Sequence, residues 1–297
     1  MNLPQLASEY LACRLGLSAR HRADVLHLAH RIHRELGLVN GTMPTEKQLV
    51  GWLQSLLDRG RSPHSINHYV RVLNAVLRWG AAHGLCPMIR LPKLKAPPSP
   101  PAAWTIAEIG RLLETAGRLP GLIGSVRTAD WWQALILVLY WTGARIGSIL
   151  EVRPSDLDFA SGAIRLVKTK NKHSKLYRLH PQAIEAIRRI YDPQADRLFY
   201  WPHGIQWLYR QFRRLQKKAG VSIVSGIAFH RFRDTCLSYC WAADPAIAQR
   251  QADHSSAEIT RRHYVDPRLV QAEARQAADV LPVPDWQPGP RQRMLFE

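Results

Sequence analysis

The sequence predicts a mainly α-helical chain with a small antiparallel β-sheet, an α+β protein built from two domains. Three observations lead there. Apolar residues recur at three- and four-residue steps over most of the chain, strand-like patterning is confined to residues 152–179, and a proline-rich stretch without acidic residues separates two helical regions. At 297 residues, 46% of them apolar, the chain is long enough to bury two cores.

Residues 1–87 read as a helical domain. Thr45-x-x-Gln48 after Pro44 is a capping box that opens a helix through Leu57, and Ser62-Pro63 places an N-cap and a first-turn proline ahead of a longer helix. In that second helix Ile66, Tyr69, Val70, Leu73, Val76 and Leu77 share one face, and Gly84 before Pro87 stops it. Exposed basic residues of this domain, among them Arg59, Arg61, His64 and Arg71, either grip phosphates or only solvate the surface. Residues 88–103, MIRLPKLKAPPSPPAA, are expected to form an extended, semi-rigid linker.

Residues 104–281 form the second expected domain. Thr105-x-x-Glu108 is another capping box, and the apolar run from Trp131 to Trp141 is too short to span a bilayer, which makes it a buried helix. After Arg145 the pattern changes: Val152 to Asp158, the Ser161-Gly162 turn, Ile164 to Val167 and Leu176 to Leu179 read as a small antiparallel sheet. The helical period returns at Ile184. A last helix after Asp266 carries the stripe Val270, Ala274, Ala277, Ala278 and Leu281, and residues 282–297 read as an irregular tail.

The net charge of +18 favours a partner with closely spaced negative charges, foremost nucleic acid, although a basic ribosomal or membrane-surface protein fits the charge alone. Four scattered cysteines, Cys13, Cys86, Cys236 and Cys240, make neither a disulfide framework nor a zinc site, and are expected as reduced thiols in a cytoplasm. The amino-terminal residues lack the basic and apolar regions of a secretory signal, and no membrane association is expected.

Several residues have the chemistry to handle a phosphodiester. Arg145, in the turn Thr142-Gly143-Ala144-Arg145, and Arg233 supply planar, permanently charged forks for phosphate oxygens. His230, three residues before Arg233 at the start of an expected helix, and His254 supply proton transfer near neutral pH. Lys170, in the polar loop KTKNKHSK between two expected strands, suits a general acid, and the Tyr264 hydroxyl is a nucleophile for phosphorus, flanked by Arg261, Arg262 and His263. Taken singly, a hairpin lysine is more often a solvated charge and a lone tyrosine more often a packing residue.

Taken in order, these motifs resemble the tyrosine recombinase, or phage integrase, family. Thr142-Gly143-Ala144-Arg145-Ile146 followed by Leu157-Asp158 is similar to its first box, and His230-Arg231-Phe232-Arg233-Asp234-Thr235 to its HxxR box. Asp253-His254-Ser255-Ser256 leading to Arg262-His263-Tyr264 is similar to its closing box, and Lys170 stands nine residues before Leu179, as in the family's hairpin. The resemblance implies a helical, SAM-like core-binding domain that clamps DNA, a mixed catalytic domain, and site-specific strand exchange on double-stranded DNA by a homotetramer. It further implies that Tyr264 forms a 3′-phosphotyrosyl link, that Arg145 and Arg233 bind the non-bridging oxygens, and that Lys170 protonates the leaving 5′-oxygen. His230 would exchange the nucleophile's proton and His254 would hydrogen-bond the phosphate, with no metal or cofactor. Three departures stand out: Ser148 where the family has an acidic residue, Asp253 where it has glycine, and Tyr264 ten positions after His254 where nine is commoner. Two alternatives stand beside this reading: a catalytically inactive DNA-binding protein of the same fold, or a type IB-like topoisomerase that uses the same chemistry.

Overall fold

The computed structural model describes residues 1–39, 41–97, 101–166, 174–223, 228–253, 256–266, 269, 282 and 284. Lys170, His254, the helix expected after Asp266 and nearly all of the tail lie outside the described residues. The chain divides into two compact units, Met1–Pro98 and Ser99–Glu297.

Among the described residues the first unit holds the helices α1 (Leu3–Ala12), α2 (Ala19–Glu35), α3 (Glu46–Asp58) and α4 (Pro63–Ala82). Asn2 and Thr45 form capping boxes with Gln5 and Gln48, and Ser18 and Ser62 cap α2 and α4, satisfying amide groups that the first turns leave unpaired. Leu3, Leu6, Ile32, Leu49, Leu56, Val70 and Leu77 meet in the core. After the turn at Gly84 (φ 68°) the chain runs back along α4. Asn74 pairs with both the N–H and the carbonyl of Leu91, and Asn67 does the same with Leu94, all at 2.8–2.9 Å. The two asparagines are seven residues apart, hence on one helix face, and each amide offers a donor and an acceptor as a neighbouring strand would. Ile89 and Leu91 are buried beneath this strap, so the first half of the proline-rich stretch is fastened to the helical unit.

The second unit is organised around α6 (Thr128–Thr142), a helix buried on every side, as an apolar run without periodicity requires. It follows α5 (Ile106–Gly117), which starts at the Thr105 capping box, and a short hairpin of β1 (Leu122–Ile123) and β2 (Val126–Arg127). A short helix α7 (Ile146–Ile149) leads to a three-residue 3₁₀ turn at Pro154–Asp156 and then β3 (Leu157–Asp158), β4 (Ala163–Leu166) and β5 (Lys175–Arg178), antiparallel in the order β3-β4-β5. The strand expected from Val152 is therefore shorter: Pro154 has no N–H for a ladder and opens the 3₁₀ turn instead. Helices α8 (Pro181–Arg188), α9 (Ile205–Lys218), α10 (His230–Ala243), α11 (Pro245–Ala252) and α12 (Ala257–Tyr264) follow among the described residues. Among the described residues no helix is long and apolar enough to cross a membrane.

Candidate active site

The first arginine is presented by the end of α6. Gly143 adopts a left-handed conformation (φ 58°), its N–H reaches back to the Leu139 carbonyl at 2.9 Å, and the chain leaves the helix with the Arg145 side chain exposed. A side chain at Gly143 would be strained by that φ and would place its Cβ 3.0 Å from Cβ and Sγ of Cys236, so glycine is required twice over. The last carbonyls of α6, on Trp141 and Thr142, accept from the Gln251 amide at 3.3 and 2.9 Å. The arginine turn is thereby tied to α11.

Arg233 makes the second tie. Its guanidinium is only 3% exposed and donates to the Gly143 carbonyl at 2.9 Å and to the Ala252 carbonyl at 2.7 Å, bridging the Arg145 turn and the end of α11. The ring of half-buried Tyr264, the last residue of α12, lies over this guanidinium with its centroid 4.9 Å away. His230, one turn before Arg233 on α10, has its ring centroid 5.5 Å from that of Tyr264. The fold thus gathers Arg233, His230 and Tyr264, and hooks the Arg145 turn to the same guanidinium. Lys170 and His254 lie outside the described residues.

Burial sets the protonation of two groups here. His230 is pushed down to about 4, first by desolvation and then by the Arg233 and Arg145 charges, so its imidazole is neutral at pH 7 and able to accept a proton. Asp234 is pushed up to about 7 by desolvation, with the nearby Asp266 charge adding to the rise and the Ala102 N–H, Arg233 and Arg231 opposing it. Its Oδ1 stands 3.8 Å from Nε2 of His230, too far for a hydrogen bond. Because Asp234 binds its proton more tightly folded than unfolded, where its value is about 3.9, its contribution is fully present at low pH and is lost as pH rises through about 7. In urea unfolding, the stability of wild type minus that of Asp234→Asn should fall between about pH 4 and pH 7; a constant difference would show that Asp234 titrates normally.

Sequence reasoning did not single out Lys175, at the start of β5. Its ammonium donates to the carbonyls of Arg250 and, at 3.0 Å, Gln251, placing a cation at the C-terminal end of α11. Burial lowers its proton affinity, with Arg233 adding to the fall and Asp253 opposing it. Also overlooked were the buried groups Arg231, Ser238 and Asp266, whose roles depend on partners more than a hundred residues away or on a bend of the chain. Asp253 explains one departure from the family pattern. It is the one non-glycine residue with positive φ among the described residues (φ 58°), so the position calls for the conformation that glycine adopts most readily and aspartate tolerates. Among the described residues, no group of three or more histidine, cysteine or carboxylate side chains gathers as metal ligands do.

The sequence profile of the phage integrase family matches residues 107–269. Tyrosine recombinase XerC of Corynebacterium glutamicum is 25% identical, over 89% of this chain and 88% of that protein. Tyrosine recombinase XerA of Pyrococcus furiosus is 22% identical, over 75% of this chain and 77% of that protein. Among solved structures, a lambda integrase dimer bound to a COC' core site superposes with a TM-score of 0.71 at 19% identity, covering 90% of this chain and 96% of that one. The Tn1549 transposon integrase in complex with a circular intermediate DNA gives 0.65 at 19% identity, covering 89% and 95%.

Proposed function

The chain belongs to the phage integrase family, whose tyrosine recombinases cut and rejoin DNA, and we propose that Tyr264 is its nucleophile. The observation that carries this reading is the Tyr264 ring seated 4.9 Å over the buried Arg233 guanidinium. A phosphate drawn to Arg233 would arrive beside the phenol, and proximity of that kind supplies much of the rate in phosphoryl transfer.

In this reading the Tyr264 oxygen bonds to phosphorus, the bond to the 5′-oxygen breaks, and a 3′-phosphotyrosyl link and a free 5′-hydroxyl result. Neutral His230 takes the phenol's proton, Lys170 gives one to the leaving oxygen, and Arg145 and Arg233 neutralise the non-bridging oxygens while His254 hydrogen-bonds the phosphate. Attack by another 5′-hydroxyl reverses the steps, joins the strands and returns the phenol. No metal or organic cofactor enters this scheme. Double-stranded DNA is the partner, supported by the net charge of +18 and by the DNA held in the lambda and Tn1549 integrase structures, and a homotetramer on DNA is the working assembly. The helical unit 1–87 serves as the core-binding clamp, 88–103 as the linker, 104–281 as the catalytic domain and 282–297 as a tail.

A nicked duplex tests the activity, because loss of the short strand after cleavage traps a covalent adduct that survives a denaturing gel. Binding should also weaken by about three to five decades between 50 and 200 mM salt if 6–10 phosphates are contacted. A shallow salt response would contradict a clamp that holds the DNA backbone.

A further inference from the structure

Helix α12 buries little of its own surface. Of its eight residues only Thr260 is buried, whereas Arg261, Arg262 and His263 just before Tyr264 are exposed. Besides the contacts of the Tyr264 ring, the chain immediately after the helix ties down the end that carries the tyrosine. Val265 is buried, and the Ser238 hydroxyl of α10 donates to the Tyr264 carbonyl at 3.1 Å while accepting from the Asp266 N–H at 2.8 Å. The Asp266 side chain, 1% exposed, accepts from the Ala103 N–H at 3.0 Å.

The segment around Ala103 is in turn fastened to α10, the helix of His230 and Arg233. Arg231 donates from Nε to the Ala102 carbonyl and from Nη2 to the Ala103 carbonyl, both at 3.0 Å. The Trp104 N–H donates to the Thr235 hydroxyl at 2.9 Å, and the Ala102 N–H to the Asp234 carboxyl. Residues 102–104 therefore act as a common template: α10 holds all three, and Asp266 attaches the tyrosine's segment to the middle one, Ala103.

We infer that Asp266 is a positioning residue for the nucleophile, tying the Tyr264 segment to the end of the linker at Ala103 so that the phenol is held in register with Arg233. This rests on Tyr264 being the nucleophile. The carboxylate touches no reacting atom; it acts through the backbone, and its loss should leave DNA bound but attacked from a poorer position. A misplacement near 1 Å costs on the order of 10²-fold in rate.

The test uses the full chain and a nicked duplex bearing the site that the protein selects from a random-sequence DNA library, with single-turnover cleavage and affinity measured separately. At saturating DNA, Asp266→Ala should cleave about 30- to 100-fold more slowly than wild type while its Kd changes less than about twofold. Asp266→Asn keeps a carbonyl oxygen for the Ala103 N–H and should recover most of the rate. Wild-type cleavage by Asp266→Ala, failure of Asp266→Asn to recover it, or a fall in rate matched by an equal loss of affinity would each overturn the inference. If Asp266→Ala does not fold, Ser238→Ala, which removes the hydroxyl shared by Tyr264 and Asp266, decides: slower cleavage at unchanged Kd supports the inference and unchanged cleavage overturns it. Tyr264→Phe run alongside keeps the two ideas apart, because an adduct formed by that variant refutes the nucleophile, whereas an adduct lost there but made at full rate by Asp266→Ala refutes only the positioning role.

Discussion

Arg233→Ala should slow DNA cleavage by about 10²–10³-fold and lower the unfolding free energy by about 2–4 kcal/mol. The first effect is that of removing one charged donor from a preorganised site. The second follows from the burial of the side chain: its outer nitrogens satisfy the carbonyls of Gly143 and Ala252, and truncation leaves both without that donor in a closed environment. Affinity for DNA should fall much less than the rate, because a clamp on about 6–10 phosphates would rest on many other basic residues. Arg233→Lys sharpens the test. A lysine restores the charge but not the fork that spans two carbonyls, so its cleavage should stay well below wild type. Wild-type turnover by either variant would remove Arg233 from the site.

Tyr264→Phe should reduce covalent adduct by more than about 10⁴-fold, since no second nucleophile is proposed. The ring that covers Arg233 and faces His230 is retained, so the thermal midpoint should stay within about 2 °C of wild type. Loss of adduct with folding and DNA binding intact separates the chemistry from the scaffold. A catalytically inactive DNA-binding protein of the same fold would form no adduct in either version.

The parts of the fold legible in the sequence are those fixed by short-range chemistry. Thr45, Ser62 and Thr105 begin helices because a side-chain oxygen reaches an amide three residues on, and that spacing is visible in the chain. Gly143 announces the turn that presents Arg145 for an equally local reason, its left-handed backbone. The HxxR spacing puts His230 and Arg233 one turn apart whatever surrounds them. By contrast, the β1-β2 hairpin has two-residue strands, too short to leave a period, and Pro154 turns an apparent strand into a 3₁₀ turn. The pairing of Asn67 and Asn74 with the strap, the cap that Lys175 places on α11, and the attachment of Asp266 to Ala103 are all long-range. Each joins a common polar residue to a backbone group that carries no signature, so only the folded chain brings them into view.

Mass spectrometry of the trapped protein–DNA adduct reads the chemistry at its source. After digestion with trypsin and nuclease, the peptide His263–Arg268 should carry a nucleotide esterified through its 3′-phosphate to Tyr264, and the fragment released from the cleaved strand should begin with a 5′-hydroxyl. A nucleotide on any other residue, attachment through a 5′-phosphate, or an unmodified His263–Arg268 peptide from a genuine adduct would contradict the assignment.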